Sequence, residues 1–119
     1  MSDDAGTIFA VSSGAGRAGI AVIRLSGPNA VEAVASFTGL SELPPRKATR
    51  VTVRDPESGE LLDDGMVLVF PRPNSFTGED VAEFHVHGSK AVIEALHTSI
   101  SKIEECRLAE PGEFTKLAF

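Results

Sequence analysis

Glu83, His85 and His87 occupy alternate positions in a run of strand-forming residues, 81–87. Side chains on a strand alternate with period two, so these three share one face. Ala82, Phe84 and Val86 take the other, which is the natural core side. A carboxylate and two imidazoles on one face have three chemical readings. They suit a zinc or iron ion, a hydrogen-bonding face for a small molecule, or a plain solvated polar surface. Spacing alone leaves all three open. Arg24 poses a related question, because its strand neighbours 20–23 and Leu25 are apolar. An unpaired buried guanidinium is costly. Arg24 therefore reaches solvent or a surface carboxylate, or aims its fork at a ligand's carbonyl or carboxylate.

Other segments carry weaker chemical signals. Gly14-Ala15-Gly16-Arg17-Ala18-Gly19 matches the dinucleotide fingerprint G-x-G-x-x-G. That fingerprint works by opening a helix whose amides meet a pyrophosphate. Here the glycines lead into the β-branched run Ile20-Ala21-Val22-Ile23, so the helix is missing. The segment reads as a mobile turn between strands, of a kind that also moves over a ligand or crosses to a partner subunit. No G-x-x-x-x-G-K-[ST] phosphate loop is present. The polar stretch 71–80 adds Glu79 and Asp80 to the acid/base candidates but no obvious nucleophile, and its Phe76 reads as a lid on the core. The single cysteine, Cys106, excludes an intramolecular disulfide and points to a reducing compartment.

The elements that must position these residues are legible from periodicity and punctuation. Strands are predicted over 7–11 and 20–25, separated by the glycine-rich loop. Ser26-Gly27-Pro28 reads as a helix start with Ser26 as N-cap. Val31, Val34, Ala35 and Phe37 form that helix's apolar face, and Gly39 ends it. A half-buried strand over 48–54 has Val51 and Val53 inward and Thr52 outward. A turn over 55–60 then leads to an apolar return strand over 66–70. After the strand 81–87, Ser89 caps a helix whose Val92, Leu96, Ile100 and Ile103 recur at helical spacing. A short strand over 107–109 and a turn at Glu110-Pro111-Gly112 precede a last helix that reaches Phe119 without a stop signal, so a longer natural polypeptide is expected. The order predicts an α+β fold: a mixed β-sheet of about five strands with helices packed on one face.

Bulk properties narrow the function classes. The 119 residues suffice for one domain, and 42% apolar with 24% charged residues is globular composition. A net charge of −6 disfavours a grip on phosphate backbones by this piece itself. No apolar run approaches the ~20 residues that span a bilayer, and the acidic start Met1-Ser2-Asp3-Asp4 is unlike a signal peptide. No membrane association and a cytoplasmic location are expected.

Three segments, "TIFAVSSGAGRAGIAVIRLSGP", "PNSFTGEDVAEFHVHG" and "RLAEPGEFTKLAF", together span residues 7–119. They resemble the successive signature segments of the N-terminal domain of the MnmE (TrmE) family of tRNA-modification GTPases. The resemblance implies a fold like the tetrahydrofolate-binding domain of one-carbon, aminomethyltransferase-like enzymes. It implies that residues 1–119 form a folate-binding and dimerisation domain without turnover of its own. The ligand would be a tetrahydrofolate derivative, 5-formyl- or methylene-tetrahydrofolate. Arg24 and Glu83 match the family's folate-contacting positions, the arginine of its "VIR(L/I)SG" segment and the glutamate of its "EDVxE" segment. The resemblance further implies a homodimer and a flavoprotein partner, MnmG. It also implies tRNA contact through other domains, and GTP, magnesium and potassium in a G domain outside these residues. With that resemblance, the metal reading of Glu83, His85 and His87 and a purely structural dimerisation role become the alternatives. This sequence departs from the family at Ser89, usually glycine, and at Leu117, commonly basic. A folate-contacting lysine of the family falls just beyond Phe119.

Overall fold

The computed structural model describes residues 6–11, 19–73, 75 and 77–118. Among these residues the strands are β1 (Thr7–Val11), β2 (Ile20–Ser26), β3 (Thr49–Arg54), β4 (Leu61–Phe70), β5 (Val81–His87) and β6 (Cys106–Leu108). The helices are α1 (Ala30–Ser36), α2 (Lys90–Ser101) and α3 (Glu113–Ala118). The strands form one mixed sheet in the order β3-β4-β5-β2-β1-β6. All neighbours are antiparallel except β1 and β6, which run parallel, with Thr7 opposite Cys106. The fold is α+β, as the order of elements predicts. The sixth strand is the short one expected near 107–109, beginning one residue earlier. The glycine-rich segment 12–18 and Phe76 lie outside the described residues.

One face of the sheet carries the core. Phe9, Ile23, Leu25, Val67 and Phe84 from the strands meet Val34 and Phe37 at α1 and Leu96 and Ile100 of α2, all essentially buried. The Phe37 and Phe84 rings meet edge to face with centroids 5.2 Å apart, a favoured aromatic arrangement. Phe9 packs in the same way on His97, at 5.1 Å. Alternation along β5 therefore assigns Ala82, Phe84 and Val86 to the core and turns Glu83 and His85 to the opposite face, as the residue pattern required.

Three further departures from the sequence reading concern Ser26, the start of β4 and the end of α1. Ser26 does not cap α1. It ends β2, is 1% exposed, and spends its hydroxyl on Thr77 Oγ1 (2.6 Å) and Glu79 Oε1 (3.0 Å). The helix starts instead after Asn29, whose amide donates to Thr7 Oγ1 at 2.8 Å. Gly27 makes that corner possible. Its φ is +142°, and a Cβ there would lie 2.7 Å from Thr7 Cα. The second departure is β4, which starts at Leu61 rather than 66. Asp63, Asp64 and Gly65 are poor strand formers, yet the ladder from Arg54–Leu61 to Thr49–Val67 recruits them. The third is α1, whose last residue is Ser36, with Phe37 as its C-cap.

A polar latch ties the β3–β4 hairpin to α2. Asp55 Oδ1 accepts the amides of Glu57 and Ser58, both at 2.8 Å, and Oδ2 accepts the buried Ser99 hydroxyl at 2.6 Å. These bonds, that from Ser99 foremost, lower the Asp55 carboxyl from its ordinary 3.8 to about 2.

Two outcomes test this account. Phe84→Ala is expected to lower unfolding free energy by about 3–5 kcal/mol in urea titrations, because it empties the centre of the core. The latch contributes stability in full above the unfolded carboxyl's midpoint and loses it as pH falls from about 4 to about 2. Urea midpoints measured across that window should fall less steeply for Asp55→Asn than for the unsubstituted chain.

Candidate functional site

The face of the sheet opposite the core carries a charged cluster at its centre. Arg24 of β2 and Glu83 of β5 are direct cross-strand partners. Arg24 Nε donates to Glu83 Oε2 at 2.7 Å. The second carboxylate oxygen, Oε1, lies 2.8 Å from His85 Nε2. Both oxygens of Glu83 are thus held by donors from the protein, one on a neighbouring strand and one two residues along its own. A carboxylate offers about four lone-pair sites, more than these two donors need. Because an ionised carboxylate only accepts, the His85 contact requires the ring proton on Nε2.

Burial and pairing act on Glu83 in opposite directions. Glu83 is 7% exposed, and burial pushes its carboxyl up. The hydrogen bonds from His85 and Arg24 outweigh that and hold it below the ordinary glutamate value. The carboxylate is therefore charged at neutral pH in a mostly dry position, where its hydrogen bonds are stronger than they would be in water.

Arg24 also borders a cavity of about 380 Å³. Ala10 and Val11 of β1 line one side, and Glu110, Pro111 and Phe114 form the other. The wall is braced by Arg107, which makes a two-point ion pair with Glu113 at 2.6 and 3.0 Å. Glu113 Oε1 also accepts the Glu110 amide at 2.8 Å. A smaller cavity of about 180 Å³ lies on the other side of the cluster, lined by Arg50, Asp64, Gly65, Met66 and His85 among others.

The sequence-predicted candidates separate accordingly. Arg24, Glu83 and His85 come together. His87 does not join them: its Nδ1 lies 2.8 Å from Asp63 Oδ1, its backbone amide donates to Oδ2, and its side chain is 70% exposed. Among the described residues no group of three or more His, Cys, Asp or Glu side chains converges in a way that could hold a metal ion. Cys106 is buried, and burial pushes its thiol up to about 11, so it is no candidate nucleophile. Glu79 and Asp80 act within the loop: Glu79 binds Ser26, and Asp80 accepts the Arg72 amide at 2.9 Å. Sequence reasoning missed Asp63 as the partner of His87, because the register of β4 against β5 is invisible in a segment that does not read as strand. It also gave His85 no part in holding Glu83, although period two already placed the two side by side.

An α+β domain with one helix-covered face, and a carboxylate–guanidinium pair beside a cavity on the other, is in class a candidate small-molecule-binding domain. The chain belongs to the TrmE N-terminal family: a family model described as "GTP-binding protein TrmE N-terminus" matches residues 7–119. Proteins named tRNA modification GTPase MnmE are similar to it. That of Pelagibacter ubique is 54% identical over 113 residues, 95% of this chain and 26% of the relative's length. Those of Paramagnetospirillum magneticum and Parvibaculum lavamentivorans are 55% and 51% identical over the same length. The chain thus spans about a quarter of the curated relatives it matches. Among its described residues no helix is long and apolar enough to cross a membrane.

Arg24→Ala is expected to raise the Glu83 titration midpoint, followed through the side-chain carboxyl carbon by NMR, since it removes a hydrogen bond and a positive charge from the ionised form. The stability that the pair contributes above the ordinary glutamate midpoint, lost in acid, should shrink with it.

Proposed function

We propose that this chain is the tetrahydrofolate-binding and dimerisation module of a GTPase that modifies the wobble uridine of tRNA. In this reading the modification is of the 5-carboxymethylaminomethyl type, and the flavoprotein MnmG is the partner enzyme. The names of the relatives support the tRNA-modifying GTPase as the parent protein. The observation that carries the ligand assignment is the Arg24–Glu83 pair at 2.7 Å, on the open sheet face beside the larger cavity.

The donor set fits a reduced folate. A pterin edge presents adjacent ring N–H and exocyclic amino groups, which a fixed carboxylate such as Glu83 accepts in two-point fashion. Arg24 suits a ring carbonyl or the glutamyl carboxylate of the same ligand. The folate would supply a one-carbon unit, and Arg24 and Glu83 would bind and orient it. The cofactors GTP, magnesium and potassium are assigned to a G domain outside these residues. Homodimer contacts are assigned to the glycine-rich segment 12–19, and tRNA contact to other domains, in keeping with the net charge of −6 here.

Calorimetric titration of the chain with 5-formyltetrahydrofolate tests the reading. Saturable binding is expected, weakened about tenfold or more in Arg24→Ala and in Glu83→Gln, as loss of a hydrogen bond to a charged group predicts. Equal binding by both variants, with folding checked by circular dichroism, would overturn the assignment of these residues.

A further inference from the structure

We propose that His85 is a positioning residue for this site, fixing the rotation of the Glu83 carboxylate so that a ligand meets it in one orientation. The inference rests on the folate reading above and extends it to a residue that the family resemblance does not assign. Its basis is geometric. The terminal torsion of a glutamate is soft, with no staggered wells to hold it. Arg24 Nε on Oε2 fixes one oxygen, and a carboxylate held at one oxygen can still swing about that contact. His85 Nε2 on Oε1, at 2.8 Å, supplies the second point and defines the plane.

The position of the ring supports this role. His85 is on the same strand as Glu83, two residues on, so the strand's own pleat sets the distance between them. Its neighbours across the ladders are Val22 on β2, whose side chain carries no acceptor, and Met66 on β4, whose thioether accepts far more weakly than a carboxylate. Its side chain is 26% exposed and borders the smaller cavity, on the side away from the one at Arg24. His85 therefore braces the carboxylate from behind. A ligand with two adjacent donors reads the carboxylate plane as well as its charge, so a rotated Glu83 would lose one of the two bonds.

Two near-isosteric substitutions separate positioning from packing. The amide nitrogen of glutamine overlays the Nε2 position of histidine, whereas that of asparagine overlays Nδ1 and stops short of Glu83. In calorimetric titrations of the chain with 5-formyltetrahydrofolate, His85→Gln is expected to bind within about twofold of the unsubstituted protein, and His85→Asn about tenfold more weakly. Both variants should remain folded, with His85→Asn unfolding at a somewhat lower temperature than His85→Gln, because it alone leaves one Glu83 oxygen without its donor. Without ligand, the Glu83 titration midpoint followed by carboxyl-carbon NMR should rise in His85→Asn and stay in His85→Gln. Tight binding by His85→Asn, or equal loss in both variants, overturns the positioning role while the folate reading stands. Absence of binding both by this chain and by one extended through a further helix past Phe119, which restores the family's lysine, overturns the folate reading and the ligand-positioning role with it. An unmoved Glu83 midpoint in His85→Asn then also removes the brace itself.

Discussion

Placing a charged carboxylate at 7% exposure in the middle of a sheet is possible only because donors meet it from two directions. Arg24 reaches Glu83 from the neighbouring strand and His85 from the same one. Remove either and the carboxylate is a desolvated charge with half its support, which is more damaging than never having had the pair. The β2–β5 register follows from the same requirement. A slip of one residue would send Glu83 into the space filled by Phe84 and would bring Phe84 out to the open face. Hydrophobic burial on one face and charge pairing on the other thus demand the same alignment of the two central strands.

The two faces divide apolar burial from charge pairing. Helices α1 and α2 and the apolar side of the strands supply the burial, with Asp55 and Ser99 latching the hairpin to α2. Among the described residues no buried side-chain nitrogen or oxygen lacks a hydrogen-bond partner, so the polar groups near the core are satisfied within the fold. Among the described residues no helix covers Arg24 and His85 on the open face in that way, and each is about a quarter exposed. What covers part of it is the turn 110–112 with the start of α3, and the cavity at Arg24 is the space left between this wall and β1.

Most of this was legible in the sequence, for reasons that differ from element to element. Strand β5 was fully legible, because period-two alternation with Phe84 on one side and Glu83 on the other admits one orientation. Helix α2 announced itself through Ser89, whose hydroxyl does accept the Val92 amide, and through Leu96 and Ile100 at helical spacing. The start of β4 was hidden, since Asp63-Asp64-Gly65 becomes strand only through tertiary pairing with β3. Ser26 misled because a serine before Gly-Pro has the local form of an N-cap, and only the arrival of Thr77 and Glu79 from fifty residues away redirects its hydroxyl. At the site, period two placed His85 beside Glu83, but the meeting of Arg24 with Glu83 depends on strand order, which local patterns do not encode.

The parallel pairing of β1 with β6 joins residues about a hundred positions apart through a ladder only three residues long. Closing so long a segment carries a substantial loop entropy, and the short ladder has few groups to offset it. Beyond that ladder, the amide of Ala109 reaches back to the Phe9 carbonyl at 2.9 Å, and the cavity wall hangs directly from it. The margin of the cavity at Arg24 is therefore also the seam at which β1 and β6 are joined. Anything gripped between Arg24 and that wall acts as a removable cross-link, making occupancy of the cavity and closure of the chain one equilibrium.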